Sequence, residues 1–170
     1  MLVLRGAPAL SDFRRDKLVR RLYEECDIDI RLSARFFHFV DTERPPTEAE
    51  QAVLERLLSY GPTHDVGDDP AGQLFLVVPR PGTVSPWSSK ATEIAHNCGL
   101  QKLRRIERGI AYVVDGVTAA TSDAVAALLH DRMTEAVLAD FDAAEVLFAQ
   151  AEPRPFTTVD VLAGGDPALR

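Results

Sequence analysis

Apolar residues in this chain come in short runs, alternating stretches and helical stripes, in an order that occurs twice. Residues 2–5 and 74–78 are brief apolar runs of strand length. Each enters a loop holding Gly and Pro, then a helical stripe. In residues 12–24 the stripe is Phe13, Leu18, Val19 and Leu22, with Ser11 as N-cap. In residues 88–97 it is Ala91, Ile94 and Ala95, with Ser88 as cap and Gly99 where a left-handed C-cap residue belongs. Residues 28–40 and 103–114 follow, long and β-rich. Ile28, Ile30 and Leu32 alternate with polar residues, as in a half-buried strand. The alternation breaks at 33–35 and 107–109, which predicts a tight turn or bulge and hence a strand pair in each half. Helices close the pattern after Thr47 and after Thr121 or Ser122. Thr47 and Glu50 fit a capping box, Val53, Leu54, Leu57 and Leu58 form the stripe, and Tyr60-Gly61-Pro62 stops it.

Sliding the chain along itself by 74 residues brings Arg31-Leu32 onto Arg105-Ile106, FFHFVD (36–41) onto IAYVVD (110–115), and Thr47 onto Thr121. Identities are few, but the hydrophobic pattern coincides without a gap, which is the mark of an internal repeat. The expectation is an α/β (α+β) fold of two tandem βαββα repeats, residues 1–62 and 72–135. A three-stranded sheet with two helices leaves an edge or a face bare. Two copies closing on each other, as a fused dimer with a pseudo-two-fold axis, would cover it. Residues 124–148 read as one long helix carrying Leu128, Leu129, Met133, Val137, Leu138, Phe141, Val146 and Leu147, so that 136–149 is a helical extension of a domain spanning 1–149. Residues 150–170 read as a linker, punctuated by Glu152-Pro153-Arg154-Pro155, and then an apolar tail from Val159 that resembles the opening of a further domain.

Charge narrows the function classes. With a formal net charge of −7 the molecule repels a phosphate backbone, so no nucleic-acid partner is expected. Two cysteines, Cys26 and Cys98, stand far apart in no metal-binding spacing and read as reduced thiols, Cys98 as a small core residue. The amino terminus is too short in apolar residues for a signal peptide and no stretch reaches membrane-spanning length, which leads us to expect a cytoplasmic location and no membrane partner.

The most distinctive segment is Pro79-Arg80-Pro81-Gly82-Thr83-Val84-Ser85-Pro86-Trp87-Ser88-Ser89-Lys90-Ala91-Thr92. It is a stiff, hydroxyl-rich loop leading into a helix N-terminus. Thr83, Ser85, Ser88, Ser89, Lys90 and the exposed amides there could hold an anion. The structural alternative, which local chemistry alone favours, has Ser88 capping the helix, Trp87 plugging the core and the prolines setting the turn. It is not a phosphate-binding loop of the Walker type, because the glycines are missing.

This loop, continued as PRPGTVSPWSSKATEIAHNCGL and followed by IERGIAY, resembles the amino-terminal domain of the large, single-chain phosphoribosylformylglycinamidine synthases. So do LRGAPALS (4–11), LERLLSYGP (54–62), LHDRMTE (129–135) and VDVL (159–162), so the resemblance spans nearly the whole chain. It implies a ligase of purine biosynthesis that uses ATP, magnesium and glutamine to turn the formamide of formylglycinamide ribonucleotide into an amidine. In that family a glutaminase domain releases ammonia and a synthetase domain activates the formamide oxygen as a phosphoryl ester. The amino-terminal domain resembles a dimer of the small accessory subunit of multi-subunit versions. Its implied role is to bridge synthetase and glutaminase domains of the same polypeptide and support ammonia passage. The resemblance assigns no catalytic, cofactor-binding or metal-binding residue here; ATP and magnesium belong to other parts of the parent enzyme. The candidate interdomain contacts are Arg80, Thr83, Ser85, Trp87, Ser88, Ser89 and Lys90.

Other features have bland readings. Glu93-x-x-His96 matches half of a di-iron motif, but its counterparts at the repeat offset are Val19 and Leu22. His38 and His130 read as core-edge or surface residues. Arg14, Arg15, Lys17, Arg20 and Arg21 form a basic run, by default a solvated face and otherwise a docking surface for an acidic domain. Lys102, Arg104, Arg105 and Arg108 form a second run that the pseudo-two-fold would place symmetrically. A stand-alone ferredoxin-like module binding a small metabolite between the repeats is the alternative, and the isolated chain is expected to show no ATPase or glutaminase turnover.

Overall fold

The computed structural model describes residues 1–61, 71–149, Pro155, Phe156 and Thr158. The expected linker (150–154) and tail (159–170), and Pro62, fall outside the described residues. Strands β1 (Leu2–Pro8), β2 (Arg31–Thr42), β3 (Gln73–Pro79), β4 (Leu103–Asp115) and β5 (Glu135–Leu138) form one antiparallel sheet in the order β1-β2-β4-β3-β5. Between them run helices α1 (Asp12–Cys26), α2 (Glu48–Leu58), α3 (Pro86–Asn97) and α4 (Ser122–Leu129), and a 3-10 segment (Asp142–Phe148) follows β5. The fold is a mixed α/β architecture, as the sequence pattern indicated.

The helix boundaries follow from capping. Ser11 accepts from the Arg14 amide, and Thr47 and Glu50 make the reciprocal box, with the Arg44 guanidinium also gripping Glu50. Those bonds, first Arg44 and then Thr47, hold the Glu50 carboxyl down at about 2. Helix α3 starts three residues earlier than expected, because Ser85 and not Ser88 is the cap and Pro86 takes the first turn, where its missing N–H is no loss. It ends as expected at Gly99 (φ 92), with the Leu100 amide returning to Ala95 O and the Gly99 amide to His96 O.

Two larger expectations are corrected. Residues 31–42 and 103–115 are each one continuous strand, so each half of the chain runs βαβα and not βαββα. The alternation fades at 33–35 and 107–109 because polar side chains there lie within the covered sheet, Ser33 and Glu107 buried and Arg35 and Arg108 half-buried, and not because the chain turns. Gly109 marks a close approach and not a turn: a Cβ there would lie 2.9 Å from the Val77 carbonyl oxygen and 3.2 Å from the Phe39 ring. Residues 124–148 are not one helix. Asp131 ends α4 with a local turn, its carboxylate accepting from the Met133 amide and its carbonyl from those of Thr134 and Glu135. The chain then pairs with the open edge of β3, Leu76 opposite Leu138 and Val78 opposite Ala136. Phe141, Ala144 and Leu147 recur at every third residue, the spacing of a 3-10 ridge and not of an α-helix.

Period-two alternation puts Leu32, Phe36, His38 and Val40 of β2 on one face and Phe37 and Phe39 on the other. The helices cover the first face in two groups. Leu22, Val125 and Leu129 of α1 and α4 pack over Leu32, Phe75, Tyr112 and Val114. Leu54, Leu58 and Ala95 of α2 and α3 pack over Leu4, Val40 and Ile106. On the second face Phe39, Leu76, Val78 and Ala111 lie under Phe141, Ala144 and Leu147.

Gly109→Ala should destabilise the protein by about 1–3 kcal/mol, since the backbone of β3 cannot retreat without breaking its ladder. A urea titration would show a lower midpoint at unchanged slope; an unmoved midpoint would contradict the close packing described.

Candidate functional site

Midway between the two helix groups the sheet carries a polar and aromatic cluster. It begins with an irregularity in β1. Arg5 pairs with Phe37 and Pro8 with Arg35, so Gly6 and Ala7 together oppose Phe36. Gly6 is needed there because a Cβ would stand 2.7 Å from the Cε1 atom of His38. His38 is fully buried, which corrects the core-edge expectation. Its ring stacks on Trp87 at 5.7 Å and meets Tyr60 edge-on at 5.5 Å. Its Nε2 lies 2.6 Å from the Tyr60 hydroxyl.

Arg108 of β4 completes the cluster. Its guanidinium carbon sits 4.4 Å from the Phe36 ring centre and 4.7 Å from that of Trp87, held between two π faces. Its Nη1 donates to the Tyr60 oxygen at 3.2 Å. Arg108 has only donors, so Tyr60 must accept from it, leaving the phenol proton for His38 Nε2. That relay requires a neutral imidazole. Burial, reinforced by the nearby Arg108 charge and only partly offset by the Leu4 backbone, drops the His38 pKa to about 4.

The distinctive loop joins this cluster from the side. Thr83 closes a turn by donating from both amide and hydroxyl to Arg80 O, and the Arg80 amide donates to Thr134 O, tying the loop to the approach to β5. Ser85 caps α3 and donates at 3.2 Å to Glu107, a wholly buried carboxylate on β4. Burial pushes the Glu107 pKa up, against the pull of Ser88, Arg105 and Ser85. Arg105 approaches it at 3.4 Å and lies over the Phe148 ring.

The structure therefore splits the expected contact residues. Ser85, Trp87 and Ser88 turn inward: Ser88 is fully buried, and half-buried Trp87 packs against the α2–α3 core while stacking on His38. Arg80, Thr83, Ser89 and Lys90 remain exposed, Lys90 paired with Glu93 at 2.9 Å and Ser89 donating to Ser85 O. Sequence reasoning missed His38 and Arg108 as partners of Trp87, and Phe36 and Tyr60 as the groups that hold those two. No local pattern joins them, although FFHFVD and IERGIAY both lie in segments already singled out.

Several expectations change. Cys98 is exposed and not a core residue, because it caps α3 on its outer side. Glu93 is engaged with Lys90 while His96 bonds Leu103 O, so they do not converge. The second basic run is on a strand, not on a helix equivalent to α1. Lys102 pairs with Glu43, Arg104 with Asp41 and Arg105 with Glu107, while Arg108 is stacked on rings. The two runs are therefore not symmetric.

Two clefts border Trp87. One runs between α2 and α3 past Tyr60, Lys90 and Ile106; the other lies between the sheet and the loop and includes Phe36, Arg108 and Glu135. Among the described residues, no helix is long and apolar enough to cross a membrane. A family model described as formylglycinamide ribonucleotide amidotransferase N-terminal matches residues 35–148, a span that holds β2 from Arg35 onward, the loop, β4 and the 3-10 segment.

The low pKa of His38 makes stability pH-dependent with a definite sign. The unfolded chain takes up a proton near pH 6.5 and the folded one only near 4, so protonation favours unfolding as pH falls through that window. The contribution is complete above about 6.5 and lost by about 4, on the order of 3 kcal/mol. Chemical unfolding of wild type and His38→Gln at pH 7 and 4.5 should show a steeper loss in wild type; parallel losses would refute the buried neutral imidazole.

Proposed function

The chain belongs to the formylglycinamide ribonucleotide amidotransferase N-terminal family, that of phosphoribosylformylglycinamidine synthase in purine biosynthesis, and we propose that it serves that enzyme as a non-catalytic scaffold. In this reading it bridges the synthetase and glutaminase domains of the same polypeptide and supports ammonia transfer between them. ATP and magnesium act elsewhere in the enzyme, and the setting is cytoplasmic. The observation that carries the proposal is the outward presentation of Arg80 and Thr83 by the loop and of Ser89 and Lys90 by the first turn of α3, a segment whose inner side is anchored through Ser85 and Trp87. The side chains with acid–base potential behind it are committed internally, His38 to Tyr60 and Glu107 to Ser85. Such a loop is rigid and wet on one side, which suits recognition of a protein surface better than chemistry.

Duplication of a βαβα unit accounts for the scaffold's shape. Phe36 pairs with Ile110, its own counterpart at an offset of 74 residues, as a two-fold axis through the β2–β4 ladder would demand. Ser11 and Ser85 cap α1 and α3 at the same offset, and α2 and α4 follow Thr47 and Thr121. The outer strands favour a different equivalence, Leu2–Pro8 with Gln73–Pro79, an offset of 71. The three extra residues then fall between β3 and α3. On this reading the contact loop is where the second copy grew away from the first, and the two halves form a fused dimer comparable to a pair of small accessory subunits.

The test is the double variant Arg80→Ala, Lys90→Ala in the full-length enzyme. Glutamine-dependent turnover should fall by about tenfold, as loss of two rim contacts would give, while turnover with free ammonia stays within about twofold. If both rates remain at wild-type level the loop is not a domain contact.

A further inference from the structure

Arg108 is a cation that the fold has paid to immobilise without supplying an anion. Two rings and one phenol hold it in a single orientation, with Phe36 at 4.4 Å, Trp87 at 4.7 Å and the Tyr60 oxygen at 3.2 Å. Among the described residues no carboxylate comes within ion-pair distance of it, whereas Arg104, Arg105 and Arg31 each have one. Tyr60 engages one of its five N–H donors, so the guanidinium fork keeps donors free in a half-exposed position. It lines the open cleft between sheet and loop, with a volume of about 250 Å³ and walls that include Val77, Pro79, Ile110 and the Trp87 ring. A concave, mostly apolar cleft with one preorganised polar anchor is the usual build of a small-molecule site.

We propose that this cleft binds a small organic monocarboxylate, its carboxylate on the Arg108 fork and its body against Trp87 and the apolar wall. A guanidinium held flat matches the two oxygens of a carboxylate, and little rotamer entropy is left to lose on binding. The preference for one negative charge over two follows from the surroundings. Glu135 lines the same cleft and the chain carries a net charge of −7, so a phosphate dianion is repelled more strongly than a monoanion. The proposal does not rest on the scaffold role, because it concerns the recess behind the loop and not its outward side.

Trp87 is the sole tryptophan and touches the anchor, so its fluorescence reports on the site. The 170-residue chain would be titrated at constant ionic strength with benzoate, with benzamide as its uncharged isostere, and with inorganic phosphate. Benzoate should give a saturable change with a dissociation constant of roughly millimolar order, as expected for so small a ligand. Benzamide and phosphate should bind at least about tenfold more weakly. Arg108→Met should weaken benzoate by at least about tenfold, and Arg108→Lys, which keeps the charge but loses the fork, by severalfold; thermal unfolding of both variants checks that they are folded. The proposal fails if benzoate gives no saturable signal, if benzamide matches it, if phosphate binds more tightly, or if folded Arg108→Met binds benzoate unchanged. Should Arg108→Met not fold, the contrast between benzoate and benzamide in wild type decides alone.

Discussion

The antiparallel pairing of β2 with β4 is the constraint on which the rest depends. Arg31 to Asp41 face Asp115 to Arg105 without interruption, so every side chain of the central sheet is assigned a face by one register. Slip β2 by one residue against β4 and Phe36 and His38 leave the helix side, where Arg108 remains, for the side covered by the 3-10 segment. The same ladder buries the edges that β1–β2 and β3–β4 would each expose alone. Completion falls to β5, which closes β3 at one margin.

A second consequence is electrostatic. The middle of the helix face lies between two apolar groups of helices, and there the fold has placed a buried imidazole, a phenol and a guanidinium. They are compatible because each is used in one protonation state. Arg108 remains charged and spreads its charge over two rings; Tyr60 accepts from it and donates onward; His38 stays neutral to receive. Glu107, one residue from Arg108 and on the opposite side of the strand, is kept apart from this relay and tied to Ser85 instead. The loop is thereby anchored from two directions, by a carboxylate at its helix cap and by stacking at Trp87. That double anchoring lets Arg80 and Thr83 keep a defined geometry on a segment that has no ladder of its own, beside Ser89 and Lys90 on the first turn of α3.

Much of the local structure was legible because it obeys short-range rules. Capping signatures at Ser11, Thr47 and Gly99 state where helices start and stop, and β-rich runs locate four of the five strands. The failures share one cause. At 33–35 and 107–109 a broken alternation suggested a turn, yet it arose from polar side chains such as Ser33 and Glu107 that are buried in a continuous sheet. In 124–148 an apolar stripe suggested a helix, yet Asp131 bends the chain so that the free edge of β3 can be paired. In each case a distant element supplied what local periodicity could not register. The candidate site was half legible: the loop stood out by composition, while the partners that hold it, on β2, β4 and the end of α2, are far from it in sequence.

The sequence by itself determined the helix boundaries at Ser11, Thr47 and Gly99, the family and the loop that sets this chain apart. These rest on contacts within a few residues or on a long unusual string. Only the tertiary structure decided which of the loop's side chains face inward, that β5 is a strand, and that Arg108 meets Phe36, Trp87 and Tyr60. Those outcomes depend on sheet register and on which edges and faces remain bare once the strands have paired, and such quantities exist only when the whole chain is folded.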